Sequence, residues 1–347
     1  MNVDTTAERL ALPGLAPDVR ARPFRYPADL AAMAELVGAV SQIDGDDWFP
    51  TADVLAVHWR STPLFSPERD CLVVEDGAAM AAMVSVEPQV RAGKMIHWVE
   101  GWVRPDRRRQ GIGRALFGWA ERHALEIART RAIGSAELPQ FMGFGIVESN
   151  PAAMAFAGST GYARVRNGFQ MHRALAEPIA DKPFPAGIEL RPVRPEHHRQ
   201  IWDADVEAFR DHFEPRNRDE SDFVAAFTAP NVETELWRVA WYGDEVVGSV
   251  MNQIDPDENA KAGLDIGWLE HVSVRRAWRG RGVASALIVA SLHALRERGM
   301  TIASLGVDGE NLTGALSLYE QLGFRRHKTW ITYRKPLPDG EGRGQVG

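Results

Sequence analysis

"WLEHVSVRRAWRGRGVASAL", residues 268–287, reads as a strand, a basic glycine loop and the start of a helix, in that order. Apolar Val283, Leu287, Ile288, Leu292 and Leu295 follow at the spacing of a helix with one buried face. Arg275, Arg276, Arg279 and Arg281 stand before that helix, with Gly280 and Gly282 among them. The same three parts recur in "WVEGWVRPDRRRQGIGRALF", residues 98–117. The copies differ by one residue between the W-x-E triplet and the loop, so Glu100 and Glu270 need not face the same way along their strands.

Past each helix comes another matching pair, "ESNPAAMAFAGSTGYARV" (148–165) and "ENLTGALSLYEQLGFRRH" (310–327). In each, an asparagine opens a short helix and Gly-aromatic closes it. The chain therefore holds two similar units, expected over residues 1–176 and 187–347 and joined by a proline-rich linker at 177–186. In the second unit, "GIELRPV" (187–193) reads as a strand, 196–213 and 220–229 as helices, and 236–242 with 245–254 as a hairpin around Gly243-Asp244. Then come the strand ending at Val274, a helix to about Arg298, the strand "TIASLGV" (301–307), the helix after Asn311 and two closing strands. The first unit follows this plan from about Phe24, with "AELPQFMGFGIV" (136–147) inserted before its short helix. The fold class is α/β of the α+β kind, each domain a mixed, mostly antiparallel sheet flanked by helices.

The 347 residues carry a net charge of −7, which argues against general nucleic-acid binding and leans toward cationic small molecules. No apolar run of membrane-spanning length and no signal pattern occurs, so a cytoplasmic protein with no membrane partner is expected. The single cysteine, Cys71, cannot form an internal disulfide and reads as a buried strand residue. The ten histidines form no ligand-spaced set beyond the adjacent His197-His198 pair, so no metal is expected.

A helix start leaves about four backbone N–H groups without partners and attracts an anion. Gly280 and Gly282 permit backbone that aims such groups inward, and the arginines add charge, so the loop reads as a pyrophosphate cradle. "RGRGVA" (279–284) and "RRQGIG" (108–113) resemble the acetyl-coenzyme A loop of the GCN5-related N-acetyltransferases, the GNAT superfamily, and the segment from Asn311 resembles its second motif. The likeness covers nearly the whole chain as a tandem pair. It implies that Val272, Ser273 and Val274 line the pantetheine arm, and that Arg279, Gly280, Arg281, Gly282, Val283 and Ala284 hold the phosphates, with Asn311 in the second motif. It also implies acetyl-CoA as cosubstrate, a small-molecule amine as acceptor, and a monomer or homodimer.

Direct acetyl transfer to an amine needs a base for the ammonium proton and an acid for the departing thiolate. By the resemblance, Glu270 is placed as the base and Tyr319 as the acid. His271, expected on the opposite strand face, ranks second as base, and Asp308 and Glu310 are offered as amine-binding carboxylates. In the first unit, the position matching Tyr319 falls on Ala157 or Gly158, so its acid is missing and the unit is expected to be a degenerate partner. His97 and Glu148 could support a different chemistry there. Residues 203–222 hold eight carboxylates against three arginines and the loop 255–265 holds four against one lysine, which would draw in a cationic amine; solvated helix faces and an open loop are the other reading. A tandem enzyme acting on a cysteinyl sugar, an aminoglycoside or antibiotic acetyltransferase, and a non-catalytic coenzyme A sensor stay open as alternatives.

Overall fold

A strand that feeds a helix through a short loop lays the helix's apolar stripe across a sheet face, and the computed structural model of the chain does this twice. It describes residues 12–60, 62, 64–130, 138–215, 218–229, 232–310 and 314–338. Two compact units divide the chain. The first runs to Gly145, takes in Ala152–Arg164 and resumes at Tyr333; the second comprises Ile146–Pro151 and Val165–Thr332.

In chain order the first half contains β1 (Val19–Pro23), α1 (Leu30–Asp44), α2 (Ala52–Arg60), α3 (Pro67–Asp70), β2 (Cys71–Asp76), β3 (Ala79–Arg91), β4 (Lys94–Val103), α4 (Ile112–Thr130), β5 (Gln140–Val147) and α5 (Pro151–Ser159). Strands β1 to β4 are antiparallel neighbours, and β5 joins β4 in parallel. The segment that reads as an insertion is therefore β5, the strand that α4 returns to. One face is covered by α4 through Ile112, Leu116, Ala120, Ala124 and Ile127, and α1 and α2 pack a second cluster that includes Cys71.

The second half contains β6 (Ala163–Ala174), β7 (Ile188–Leu190), α6 (His198–Phe209), α7 (Glu220–Thr228), β8 (Arg238–Tyr242), β9 (Glu245–Ile254), α8 (Pro256–Ala262), β10 (Ile266–Val274), α9 (Val283–Glu297), β11 (Ile302–Asp308), α10 (Ala315–Gln321) and β12 (Arg325–Pro336). Strands β7 to β10 are antiparallel neighbours and β11 joins β10 in parallel. Helix α9 buries Val283, Leu287, Ile288, Leu292 and Leu295 in one cluster, as the periodicity requires, while Ile201 and Ala204 of α6 pack a separate one. Gly267 lets α9 come this close, since a side chain there would stand 2.5 Å from Leu295.

Three expectations change. The acidic stretch after β9 is not open loop: Asp255 caps α8 by accepting from the Glu258 N–H at 2.9 Å. The two closing strands are one continuous strand, β12. Finally, the last strand of each repeat departs from the expected domain boundary. Most of β6 pairs with β11 in the second unit, from Gly168↔Asp308 to Ala174↔Ile302. In turn, residues 333–338 belong to the first unit, where Leu337 N–H donates to Gln140 O at 2.9 Å.

Candidate active site

Leu269, Val272 and Val274 of β10 all pack in the cluster beneath α9. Strand faces alternate every residue, so a spacing of three on one face demands one extra residue between Leu269 and Val272. The ladder with β9 supplies it: Leu269 pairs with Asn252 and His271 with Met251, leaving Glu270 unpaired as a β-bulge. In the first unit, β3 and β4 pair without interruption through Val86↔Val99, Ser85↔Glu100 and Val84↔Gly101. The one-residue difference between the copies is thus the bulge at Glu270, and His271, three residues before Val274 as Glu100 is before Val103, is the register counterpart of Glu100.

His271 stands on the α6 side of the sheet, opposite the face that Val272 packs beneath α9. Its Nδ1 is 2.9 Å from Oδ2 of Asp205 and its ring centroid is 5.1 Å from that of Phe209. Asp205 is fully buried and also accepts from Arg218 at 2.6 Å. Burial alone would lift the Asp205 carboxyl, but the charges of His271 and Arg218 outweigh it and hold Asp205 below the usual carboxylate range. Burial likewise opposes a charged imidazole, and Asp205 outweighs that too, raising His271 above 6.5. Glu270 reaches solvent, and the protein atoms packed around it remove enough hydration to lift its carboxyl above 4.5.

The bulge also marks where the sheet opens. Parallel pairing of β10 with β11 runs only from Ile266↔Ile302 to Trp268↔Ser304. Beyond it, among the described residues, Val272, Ser273 and Val274 have no ladder partner on the β11 side, which leaves backbone groups to pair with an extended ligand arm. At the end of this edge Gly280 and Gly282 take φ of +72° and +87°, and nothing lies within 4 Å of where a side chain would stand at either. Ala286 N–H donates to Gly282 O as its helical partner, and the N–H groups of Val283 and Ala284 at the first turn of α9 have no intrahelical acceptor. This fits a pyrophosphate carried by an acyl-CoA.

The arginines are used differently from the expectation. Arg279 donates to Val274 O at 3.1 Å, Asp211 Oδ2 at 2.7 Å and Ala208 O at 2.8 Å, so its guanidinium ties the loop to the end of α6. Arg108 makes the matching bonds to Val103 O and Asp44 in the first unit. Arg275 pairs with Glu207 and Glu245, and Arg276 with Asp211. Of the four, Arg281 alone has no carboxylate partner among the described residues; it lies over the Trp278 ring at 5.0 Å. Most of the acidic stretch 203–222 is spent in the same way, with Glu220 on Arg199 and Asp219 and Asp222 forming the capping box of α7. Asp308 is bound by Arg166 of β6 at 2.8 Å through both oxygens, and Glu310 lies 3.5 Å from the same guanidinium, so neither is a bare amine-binding carboxylate. Arg166 also covers Phe213 at 3.7 Å. The sequence reading missed Arg166 and Asp205, since nothing in their local patterns sets them apart.

Tyr319 lies on α10, buried against Phe324, and burial pushes its hydroxyl up to about 12. The Phe324 N–H donates to Tyr319 O at 3.0 Å, and Tyr162 N–H donates to Ala157 O at 3.2 Å, which makes Ala157 rather than Gly158 the counterpart. Asn311 lies outside the described residues. His97 is fully buried with Nε2 2.9 Å from Gln140, and Glu148 belongs to a segment counted with the second unit.

Two glycine-cradle units in tandem, each on a splayed strand pair, define an acyl-CoA-dependent acetyltransferase: the chain belongs to the Acetyltransferase (GNAT) family, which matches residues 36–162 and 198–324. It is similar to the mycothiol acetyltransferase of Salinispora arenicola, 30% identical over 89% of this chain and 94% of that protein. The mycothiol acetyltransferase of a Parafrankia species is 28% identical over 89% and 95%. Among solved structures, a GCN5-related N-acetyltransferase from Sphaerobacter thermophilus superposes with a TM-score of 0.72 at 28% identity, over 94% of this chain and 98% of that one. A tandem GNAT protein of the clavulanic acid biosynthesis pathway shares the fold, with a TM-score of 0.64 at 17% identity and coverage of 93% and 100%. No helix among the described residues is long and apolar enough to cross a membrane.

Proposed function

We propose that the second unit transfers an acetyl group from acetyl-CoA to the primary amine of a small molecule by direct attack in a ternary complex, and that the first unit is a degenerate partner. The observation that carries this reading is the contrast between the two cradles. Space is open at Gly280 and Gly282, whereas a side chain at Gly111 would stand 3.3 Å from the carbonyl oxygen of Gly14. That oxygen sits on a turn closed by Leu15 N–H to Leu12 O, and Asp18 beyond it pairs with Arg107 of the loop at 3.1 Å. A carbonyl oxygen presents negative charge where a phosphate would come.

In this reading Val272 to Val274 hold the pantetheine arm by their backbone, and the loop from Gly280 to Ala284, with Arg281, holds the phosphates. Glu270 takes the proton of the incoming ammonium, directly or through water, and its lifted carboxyl is better matched to that task than an ordinary one. Tyr319, kept protonated by burial, donates to the departing thiolate. In the first unit Ala157 stands where Tyr319 would, and Glu100 lies in an unbulged strand. The relatives' name supplies the first acceptor to try, the amine that mycothiol acetyltransferases acetylate.

The test is calorimetric titration of acetyl-CoA into wild type, Gly282→Glu and Gly111→Glu, with circular dichroism to check folding because both glycines have positive φ. One binding event, lost only in Gly282→Glu, is expected. Binding that survives Gly282→Glu overturns the assignment to the second unit; binding without turnover on an amine panel favours a sensor.

A further inference from the structure

We propose that Asp205 and His271 form a proton-relay dyad: the proton that Glu270 takes from the acceptor amine passes to Nε2 of His271 and leaves to solvent from there. The inference rests on the acetyl-transfer reading above and deepens it.

The first part of the argument is tautomeric. Asp205 Oδ2 lies 2.9 Å from Nδ1 of His271 and has no proton of its own to give, since Arg218 at 2.6 Å keeps it an anion. The Nδ1 therefore carries the hydrogen and donates it, and the Nε2 of the neutral ring is left with a lone pair. Asp205 is wholly buried and its Oδ1 has no hydrogen-bond partner among the described residues, so the carboxylate is committed to orienting Arg218 and the imidazole. An anion buried this far must be paired, and Arg218 and His271 supply that pairing beside the bulge.

The second part is placement. The bulge leaves Glu270 unpaired directly before His271, whose ring is held on the α6 side by Asp205 at 2.9 Å and Phe209 at 5.1 Å. About a third of the His271 side chain is exposed, which gives the proton an exit that Asp205, at zero exposure, lacks. The titratable and charged groups facing His271 are Asp205 of α6, Arg218 and His212 of the segments after it, and Glu270 of β10. Of these, Asp205 dominates the favourable side.

The transfer balances simply. The O–H bond of protonated Glu270 breaks, its electron pair restoring the carboxylate, and an N–H bond forms at Nε2 to give an imidazolium paired with Asp205. Imidazole is the stronger base of the two, so the step runs downhill and frees Glu270 for the next acceptor. His271 is then a positioning and relay residue rather than one that touches the reacting carbon, and Asp205 acts through it.

The experiment follows thiol release from acetyl-CoA against pH, with water or the best panel amine as acceptor, in wild type, His271→Gln and Asp205→Asn, and in parallel the imidazole nitrogens by long-range proton–nitrogen NMR of the full chain. In wild type, an acid limb above pH 6.5 and a ring protonated at Nδ1 are expected. His271→Gln is expected to remove that limb and lower the maximum rate about tenfold or more, with the Kd for acetyl-CoA unchanged. Asp205→Asn should move the limb to lower pH; if it does not fold by circular dichroism, His271→Gln and the NMR of wild type decide. A wild-type limb and rate in His271→Gln, or a ring protonated at Nε2 in wild type, overturns the dyad's role. Failure of wild type to bind acetyl-CoA instead overturns the acetyl-transfer reading itself.

Discussion

Arg279 and Arg281 are two residues apart in one loop and do different work. The guanidinium of Arg279 has three internal acceptors, so Arg279→Ala should lower the melting temperature by several degrees and loosen the loop from α6. Arg281 has no carboxylate to hold it among the described residues, so Arg281→Ala should leave stability within about 0.5 kcal/mol of wild type while weakening acetyl-CoA binding about three- to tenfold, measured by calorimetry. Glu100 offers a separate test. Burial, together with the neighbouring Glu87, pushes its carboxyl up to about 7 from 4.5. The folded state then holds a proton that the unfolded chain has released, so this contribution to stability is present below pH 4.5 and is lost as pH rises through 7. Glu100→Gln should flatten the melting temperature between pH 5 and 8 and raise it at pH 8 relative to wild type.

At the scale of elements, the bulge in β10 sets the second unit apart from the first. Deleting Glu270 would restore the uninterrupted ladder seen between β3 and β4, and it would carry Leu269 to the wrong face unless the strand slides by one residue. A folded but less stable protein that binds acetyl-CoA and turns over no amine is expected, checked by calorimetry beside a thiol-release assay. Gly267 tests the packing that brings α9 to the sheet. A side chain there would meet Leu295 at 2.5 Å, so Gly267→Ala should destabilise by about 1–3 kcal/mol in a denaturant titration.

For the whole molecule, the boundary drawn at the linker does not isolate a complete second unit. Strand β6, encoded in the first repeat, pairs along β11, and Arg173 of β6 donates to Leu322 O at 2.8 Å and Pro178 O at 2.8 Å. A fragment beginning at Gly187 loses that strand and bares the edge of β11, which is open to pairing with other chains. Gel filtration should show it aggregated, while a fragment beginning at Val165 should elute closer to a monomer.

The repeat, the strand–loop–helix order and the buried stripe of α9 were legible in the sequence because they rest on local spacing. Helix period, loop glycines and a preceding strand act within some twenty residues. The position in the first unit that matches Tyr319 was nearly legible too, and one backbone bond resolves it as Ala157 rather than Gly158. The one-residue slip before the second loop was visible as a count, but its meaning as a bulge needed the partner strand, since register is a relation between two strands. The charge balance was not legible at all. The sequence counts arginines and carboxylates, and the folded chain decides that Arg279 belongs to Asp211, Asp308 to Arg166 and Asp205 to His271. Composition and periodicity thus determined the family of folds and the two cradles. Only tertiary structure decided which cradle stands open, which strand belongs to which unit and which charges are already spent, because those depend on residues that meet across tens to hundreds of positions.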